Sequence, residues 1–521
     1  MGTRSFRGLN TEHRNGRLPV PSSKIVAAGN AVVASEHALA SLAGYDVLKS
    51  GGNAFDAAVA TSFTLAVTQH QIGGLGGDFF GTFFEAKTGR VHCLNSSGWA
   101  PSGLTLDLVK SKGGSTVPVT GPLSCVVPGQ VAGVSAMHKK LGSLEFGSLL
   151  GAAASYARDG FPAGEGLCRS VAGALDSFSP DARRVFAPLG EPPAVGDWIR
   201  QENLGKVIDE IAEGGADAFY GGWPAERIRD TLEAQGVPAK SADFADFEPD
   251  WATPLVLDYR GTRVYEVPPN SIGATALLML KTLSKSDLSG VGPLSKERIE
   301  LTMGAAEVAY SRKDAMLADP RFCKIDMDEF MRTSDAGGDY SGRVQTGDTT
   351  AFSVADQEGN LVSAIQSLFH HFGSRVYVPA CGVMLNSRAS GFRTSGPNAV
   401  EPRKRPLHTL SSMILEQDGD TRIAIGTSGG DYRPLQHAQF VTDIVDYKMP
   451  LERAIAHPRF VWSEGRDLVV EEGYPALDSP KYDVQIVPGQ GRTGVCNGVE
   501  VRGRVRKAAC DLRGDGIPAG F

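Results

Sequence analysis

Apolar residues recur at helical spacing after Ser35-Glu36-His37: Leu39, Leu42, Tyr45 and Leu48 precede the pair Gly51-Gly52. This predicts a helix with Ser35 as its N-cap and glycine as its stop. Asn53 opens a second helix, with Asp56 three residues on as a capping-box partner and an alanine-rich body, Ala57 to Val67, suited to close burial. The period then changes from helical to alternating. Phe79-Phe80-Gly81-Thr82-Phe83-Phe84 reads as a strand, Lys87-Thr88-Gly89-Arg90 as a hairpin turn, and Val91 to Leu94 as the returning strand. Residues 140–240 read as mostly helical, 255–267 as two strands around Arg260-Gly261, and 296–318 as another helix.

Two stretches lack any period. Residues 1–24 are polar and Arg-rich and predict a surface arm. Residues 333–348, TSDAGGDYSGRVQTGD, predict an exposed flexible loop. Directly after it the chain becomes strand-rich: Thr349 to Asp356 pairs with Leu361 to Phe369 across Gln357-Glu358-Gly359-Asn360. The cluster Gly73-Gly74-Leu75-Gly76-Gly77 matches neither the Walker nor the dinucleotide pattern, so it reads as a close backbone approach within a core.

Composition narrows the function classes. With 52 basic and 59 acidic residues the chain carries a net charge of −7, which argues against a dedicated nucleic-acid binder. No apolar run reaches the length of a membrane span. The N-terminus has no apolar h-region, so no secretory signal is read. Seven scattered cysteines, an odd number without metal-ligand spacing, predict neither a disulfide framework nor a zinc site, and a cytoplasmic location is expected. His370-His371 has no further ligand at useful spacing; His408 and His437 stand alone, and no G-x-S-x-G elbow occurs. No metal and no cofactor is expected.

The informative feature is Gly347-Asp348-Thr349-Thr350, where an unpatterned loop runs into a strand beginning with threonine. Cleavage of the 348–349 bond would give Thr349 both a hydroxyl and a free α-amine. Such an amine titrates at about 7.7–8, so it can take the hydroxyl proton near neutral pH. Nucleophile and base would then reside in one residue.

From about Val26 to its C-terminus the chain resembles the γ-glutamyltransferase (glutathione hydrolase) family of N-terminal-nucleophile hydrolases. The resemblance rests on an ordered set of blocks: Gly51 to Ala58, Gly73 to Gly77 with Phe79-Phe80, Val127-Pro128-Gly129, and Asp258-Tyr259-Arg260-Gly261. The set continues with Asp348-Thr349-Thr350 together with Asp356, Gly359 and Asn360, then Ser428-Gly429-Gly430 and Pro458-Arg459-Phe460. It implies an α+β fold, a four-layer αββα sandwich. It implies a precursor that cuts itself between Asp348 and Thr349 into a 25–348 large subunit, behind the 1–24 arm, and a 349–521 small subunit, both interwoven in one body. Thr349 would be the nucleophile, Ser367 would hydrogen-bond it where relatives often carry threonine, and the N–H groups of Gly429 and Gly430 would form the oxyanion hole. The partner implied is a small-molecule amide, with no nucleic acid and no membrane; a homo-oligomer is compatible with it.

Departures from the family pattern concern the substrate. Ser97 stands where an arginine grips the γ-glutamyl α-carboxylate, and Asn386 to Phe392 lacks the aspartate that takes the α-amine. His408-Thr409 replaces the usual Ser-Ser pair. Gln366-Ser367 with Phe372-Gly373-Ser374, and Pro406-Leu407-His408-Thr409, resemble a divergent branch that includes oxamate amidohydrolase-like and cephalosporin acylase-like members. A short stretch between Phe392 and Pro406 implies a pocket without a long lid. Arg388, Arg433 and His371 are then expected to bind a substrate carboxylate from another direction, with Trp99 as an apolar wall and His408 and Thr409 at the substrate. The expected activity is hydrolysis or acyl transfer on a γ-glutamyl or related small amide. The alternatives are an acylase for a non-γ-glutamyl group and an unprocessed, inactive family member.

Overall fold

The computed structural model describes residues 24–112, 114–333, 347–463, 465–488 and 493–521. The N-terminal arm, apart from Lys24, and nearly all of the 333–348 loop fall outside the described residues.

Two seven-stranded sheets stack face to face. The first runs, in spatial order, Pro518–Gly520, Val32–Ser35, Asp348–Ala355, Leu361–Phe369, Asp78–Glu85, Arg90–Ser96 and Asp250–Ala252. The second runs Lys24–Ala28, Val505–Cys510, Cys496–Arg502, Thr421–Thr427, Met413–Gln417, Thr262–Glu266 and Leu255–Tyr259. Neighbouring strands within both sheets are antiparallel. Strands from either side of residue 348 lie side by side in both sheets. The central strands Asp348–Ala355 and Leu361–Phe369 lean on Thr421–Thr427 of the facing sheet, so they are covered on both faces. Every residue of the two strands except Asp348 is accordingly buried, the polar Thr350, Ser353, Ser363 and Gln366 included, where a half-exposed strand would alternate.

Helices cover the two outer faces. Ala54–Thr68 packs on the first sheet, and all fifteen of its residues are buried. Its small side chains let the backbone approach the sheet closely. Its N-terminus is closed by the capping box read from sequence: the Asn53 carbonyl oxygen of the side chain accepts from the N–H groups of Phe55 and Asp56, and the Asp56 carboxylate accepts from the Asn53 N–H. On the opposite face, Gly273–Leu283 packs against Lys296–Met316 and Arg433–Val445. The layer order is therefore helix, sheet, sheet, helix.

One predicted helix start differs. The first helix spans Ala38–Lys49 and is capped by His37, whose ring nitrogen accepts from the Leu39 N–H at 3.3 Å. Ser35 instead ends the strand Val32–Ser35, and its hydroxyl donates to the His37 carbonyl at 2.9 Å. Pairing with the central strand outcompetes local capping there. The glycine cluster behaves as read: a Cβ on Gly76 would lie 2.1 Å from the Met384 carbonyl oxygen, and one on Gly77 2.5 Å from that of Ser367. No helix among the described residues is long and apolar enough to cross a membrane.

Candidate active site

Thr349 sits at the start of the central strand and is 1 % exposed. The pairing with Leu361–Phe369 is irregular here: Asp348 pairs with Phe369 but Thr350 with Gln366, leaving Thr349 in a bulge. A bulge re-aims a side chain that regular pairing would fix to one face. The Thr349 hydroxyl donates to Ser367 Oγ at 3.3 Å and accepts from Arg433 Nη2 at 3.3 Å. Ser367, on the neighbouring strand, donates to the Asp348 carbonyl oxygen at 2.8 Å and accepts from the Phe369 N–H at 2.7 Å. The residues joined by the 348–349 peptide are thus both held by Ser367.

Arg433 is wholly buried at the start of its helix. Its Nε donates to the Thr427 carbonyl at 2.9 Å, and its Nη1 donates to the Thr409 carbonyl. One planar fork thereby fixes Thr349, the end of strand Thr421–Thr427, and the Thr409 segment. Burial and the neighbouring Arg388 charge lower its pKa to about 9, which leaves it charged at neutral pH.

Arg388 is equally buried. It contacts Asp78 Oδ2 through Nε at 3.3 Å, Thr409 Oγ1 through Nη1 at 3.0 Å, and Ser367 Oγ through Nη2 at 3.4 Å. Asp78 Oδ2 also meets His408 Nε2 at 2.9 Å, and its Oδ1 accepts from the Gly98 N–H at 2.6 Å. Burial, then Arg388, push the His408 pKa down to about 3, so the ring is neutral and Asp78 accepts its N–H. Asp78 was missed in the sequence. Its signal was its place, the first polar residue after the glycine cluster and before an apolar strand.

Gly429 and Gly430 follow Thr427-Ser428 with φ of +140° and +61°. A Cβ on Gly429 would stand 2.2 Å from the Tyr432 ring. Only glycine meets both demands. Behind this turn, Lys313 forms a buried ion pair with both oxygens of Asp431 at 2.7 Å, and Tyr310 donates to the Asp431 carbonyl at 2.6 Å.

A cavity of about 460 Å³ opens beside Asp348, lined among others by Glu36, His371, Arg375, Ser428 and Tyr432. His371 Nε2 lies 2.5 Å from Asp348 Oδ2, while its Nδ1 meets Ser170 Oγ at 2.8 Å. Burial disfavours the charged ring, but the charge and hydrogen bond of Asp348 outweigh it and raise the His371 pKa. Glu36 was also missed in the sequence. Its Oε1 accepts from the Ala351 N–H at 3.0 Å, and burial raises its carboxyl pKa well above the ordinary range.

The expected substrate contacts divide. His371 faces the cavity. Arg388, His408 and Thr409 form a buried network behind Ser367, and Arg433 is bonded to Thr349, Thr427 and Thr409, so the two arginines are spent on protein groups. Trp99 does not line the cavity: its indole N–H donates to the Asp243 carbonyl at 2.9 Å and its ring packs edge-on against Phe247 at 5.0 Å. An indole with an inward N–H partner and an aromatic neighbour is more stably placed in the core than at a wet pocket. Ser97 is buried and bonded to Gly98 and Asn270.

The family profile of gamma-glutamyltranspeptidases matches residues 40–521. The glutathione hydrolase-like YwrD proenzyme of Bacillus subtilis is 36% identical over 455 residues, 84% of this chain and 86% of the relative. The oxamate amidohydrolase proenzyme of Klebsiella pneumoniae is 28% identical over 533 residues, 96% of this chain and 100% of the relative. The crystal structure of cephalosporin acylase from Bacillus halodurans superposes with a TM-score of 0.89 at 29% identity, covering 98% of this chain and 99% of that one. The helix–sheet–sheet–helix stack is accordingly the αββα sandwich of N-terminal-nucleophile hydrolases, and the chain belongs to the gamma-glutamyltranspeptidase family of amide-cleaving enzymes.

Proposed function

We propose that the protein is a self-processing amide hydrolase whose nucleophile is Thr349. The observation that carries this reading is the Thr349 hydroxyl held between Ser367 Oγ and Arg433 Nη2 at a buried strand start beside a cavity. In the precursor, Thr349 Oγ1 attacks the Asp348 carbonyl carbon while Ser367 donates to the carbonyl oxygen. The C–N bond breaks, an ester joins Asp348 to the Thr349 oxygen, and the nitrogen leaves as the new α-amine. Water hydrolyses the ester, giving a 1–348 piece, the 25–348 large subunit behind its 1–24 arm, and a 349–521 small subunit.

The free α-amine then serves as base for the same hydroxyl on a substrate amide. Thr349 Oγ1 forms an ester with the acyl group, the substrate amine leaves, and water or a second amine releases the acyl group. Developing negative charge on the substrate oxygen falls to the N–H groups of Gly429 and Gly430, which the arginine-pinned turn pre-orients. The proenzyme names of the relatives agree with processing.

A second reading, an acyl group other than γ-glutamyl, is favoured by one specific feature. Ser97 offers no charge to a head-group carboxylate and is itself buried.

Intact mass under denaturing conditions is the test. Two pieces, the smaller beginning at Thr349, are expected from the parent and one uncut chain from Thr349→Ala. A parent that stays whole and inert would favour the inactive-member alternative. An uncut variant that still hydrolyses amides would overturn the mechanism.

A further inference from the structure

The cavity beside Asp348 carries more charge than the Thr349 chemistry uses. Among its lining groups, Arg513 is neutralised by Glu471 and Asp511. His371 is paired with Asp348. Asp515 accepts from the Gly166 N–H at 2.9 Å. Two cations remain, Arg375 and Arg169, and neither has an ion-pair partner among the described residues.

Arg375 is unusual on three counts. Its Nη1 is buried without a hydrogen-bond partner among the described residues. A buried guanidinium nitrogen without a partner is costly and calls for an explanation. Its backbone lies at φ +65°, a region that costs a non-glycine residue on the order of 1 kcal/mol or more and calls for a reason. Finally, the turn that imposes this conformation is anchored from every side. The Phe372 N–H donates to the Gln71 carbonyl at 2.6 Å, the Ser374 N–H to the Leu385 carbonyl at 2.9 Å, and the Gly121 N–H to the Ser374 carbonyl at 2.8 Å. A Cβ on Gly373 would lie 2.2 Å from the Leu385 carbonyl oxygen. The Phe372 ring is wedged against Phe178 at 4.7 Å and Phe186 at 5.2 Å, and the guanidinium lies over that ring. Burial lowers the Arg375 pKa, with no acid opposing it. Arg169 projects from the helix Glu165–Ala174, whose next residue, Ser170, holds His371.

We propose that Arg375, with Arg169 on the same cavity, is a carboxylate-binding subsite, and that the amide substrate carries its anionic group there. The assignment rests on the reading of Thr349 as nucleophile. It replaces the head-group contact that Ser97 cannot make with a cation on a different element. The recognised chemistry is a carboxylate, from either the acyl or the amine part of the amide.

Three substrates and one ligand test it. Hydrolysis of glutaryl-p-nitroanilide, of neutral pentanoyl-p-nitroanilide and of N-butanoyl-4-aminobenzoate is compared in the parent, in Arg375→Gly and in Arg169→Gln. Glycine accepts φ +65°, so Arg375→Gly keeps the turn. The parent is expected to prefer one acid-bearing amide over pentanoyl-p-nitroanilide by at least about tenfold in kcat/KM, as for a lost charge-assisted hydrogen bond. That preference should collapse in Arg375→Gly and weaken in Arg169→Gln. Which acid-bearing amide responds identifies the part that carries the carboxylate. An equal fall for acidic and neutral amides, or an undiminished preference, overturns the proposal. Calorimetric binding of glutarate to the uncut Thr349→Ala chain, with and without Arg375→Gly, separates the two readings. Arg375-dependent binding without any turnover in the parent would sink only the Thr349 mechanism, whereas binding that is absent or indifferent to Arg375 sinks the subsite.

Discussion

Ser367 Oγ lies 2.8 Å from the Asp348 carbonyl oxygen and donates its proton to it, while the same Oγ receives the Thr349 hydroxyl. One side chain thus polarises the carbonyl that would be attacked and orients the group that would attack it. Ser367→Ala removes both effects. Losing one donor of this kind costs on the order of 10²–10³ in rate. The 349–521 piece should appear that much more slowly in timed denaturing gels, and Ser367→Thr, which keeps a hydroxyl, should recover most of the rate. Unchanged cleavage in the alanine variant would remove Ser367 from the mechanism.

Arg433 acts through geometry, since its fork joins Thr349, Thr427 and Thr409. Arg433→Gln should lower kcat by about a hundredfold with KM little changed, because the groups it aligns matter most in the transition state. Steady-state kinetics on any amide that the parent turns over will show this. A rise in KM alone would instead assign Arg433 to substrate binding.

Asp78 balances Arg388 and accepts from His408 and the Gly98 N–H in a fully buried setting. Asp78→Ala leaves a buried guanidinium without its carboxylate, a change that costs about 3–5 kcal/mol. Urea unfolding of the uncut Thr349→Ala chain, with and without Asp78→Ala, measures it. A difference below about 1 kcal/mol would mean that Ser367 and Thr409 suffice for Arg388.

Acid should destabilise the fold well before its carboxylates protonate. Burial lowers the pKa of His37 to about 4, His70 to about 4 and His408 to about 3. Unfolded, each takes up a proton near pH 6.5; folded, each stays neutral until far lower. Their contribution is therefore complete above pH 6.5 and is lost as pH falls toward 4. Each histidine withdraws up to about 1.4 kcal/mol per pH unit. Glu36 and His371, whose folded pKa values are raised, oppose part of this loss, and stability is expected to fall as pH drops from 7 to 5. Urea midpoints of the uncut variant from pH 7 to 5 will test it, and a flat profile would contradict the burial of these rings.

Local signals carried much of the fold. The Asn53–Asp56 capping box and the pairing of 349–356 with 361–369 lie within a few residues of the chemistry that dictates them, and the glycine cluster announced a close approach whose partners, the Met384 and Ser367 carbonyls, lie far along the chain. Errors arose where a distant partner won. Ser35 has every local feature of a cap, yet strand pairing with Phe352 takes it. Trp99 resembled a pocket wall until Asp243 and Phe247, far along the chain, claimed it.

By itself the sequence determined the ordered motifs that mark an amide-cleaving family, and through that resemblance it carried the expectation of a stacked αββα architecture and of Thr349 as the residue at which chain cutting and nucleophile would coincide. Only the tertiary structure decided what surrounds that residue. It brought Asp78, Arg388 and His408 together across more than 300 positions, spent two expected carboxylate binders on buried protein groups, and left Arg375 facing the cavity. A buried charge is defined by what neutralises it, and in an interwoven pair of sheets that partner comes from elsewhere in the chain.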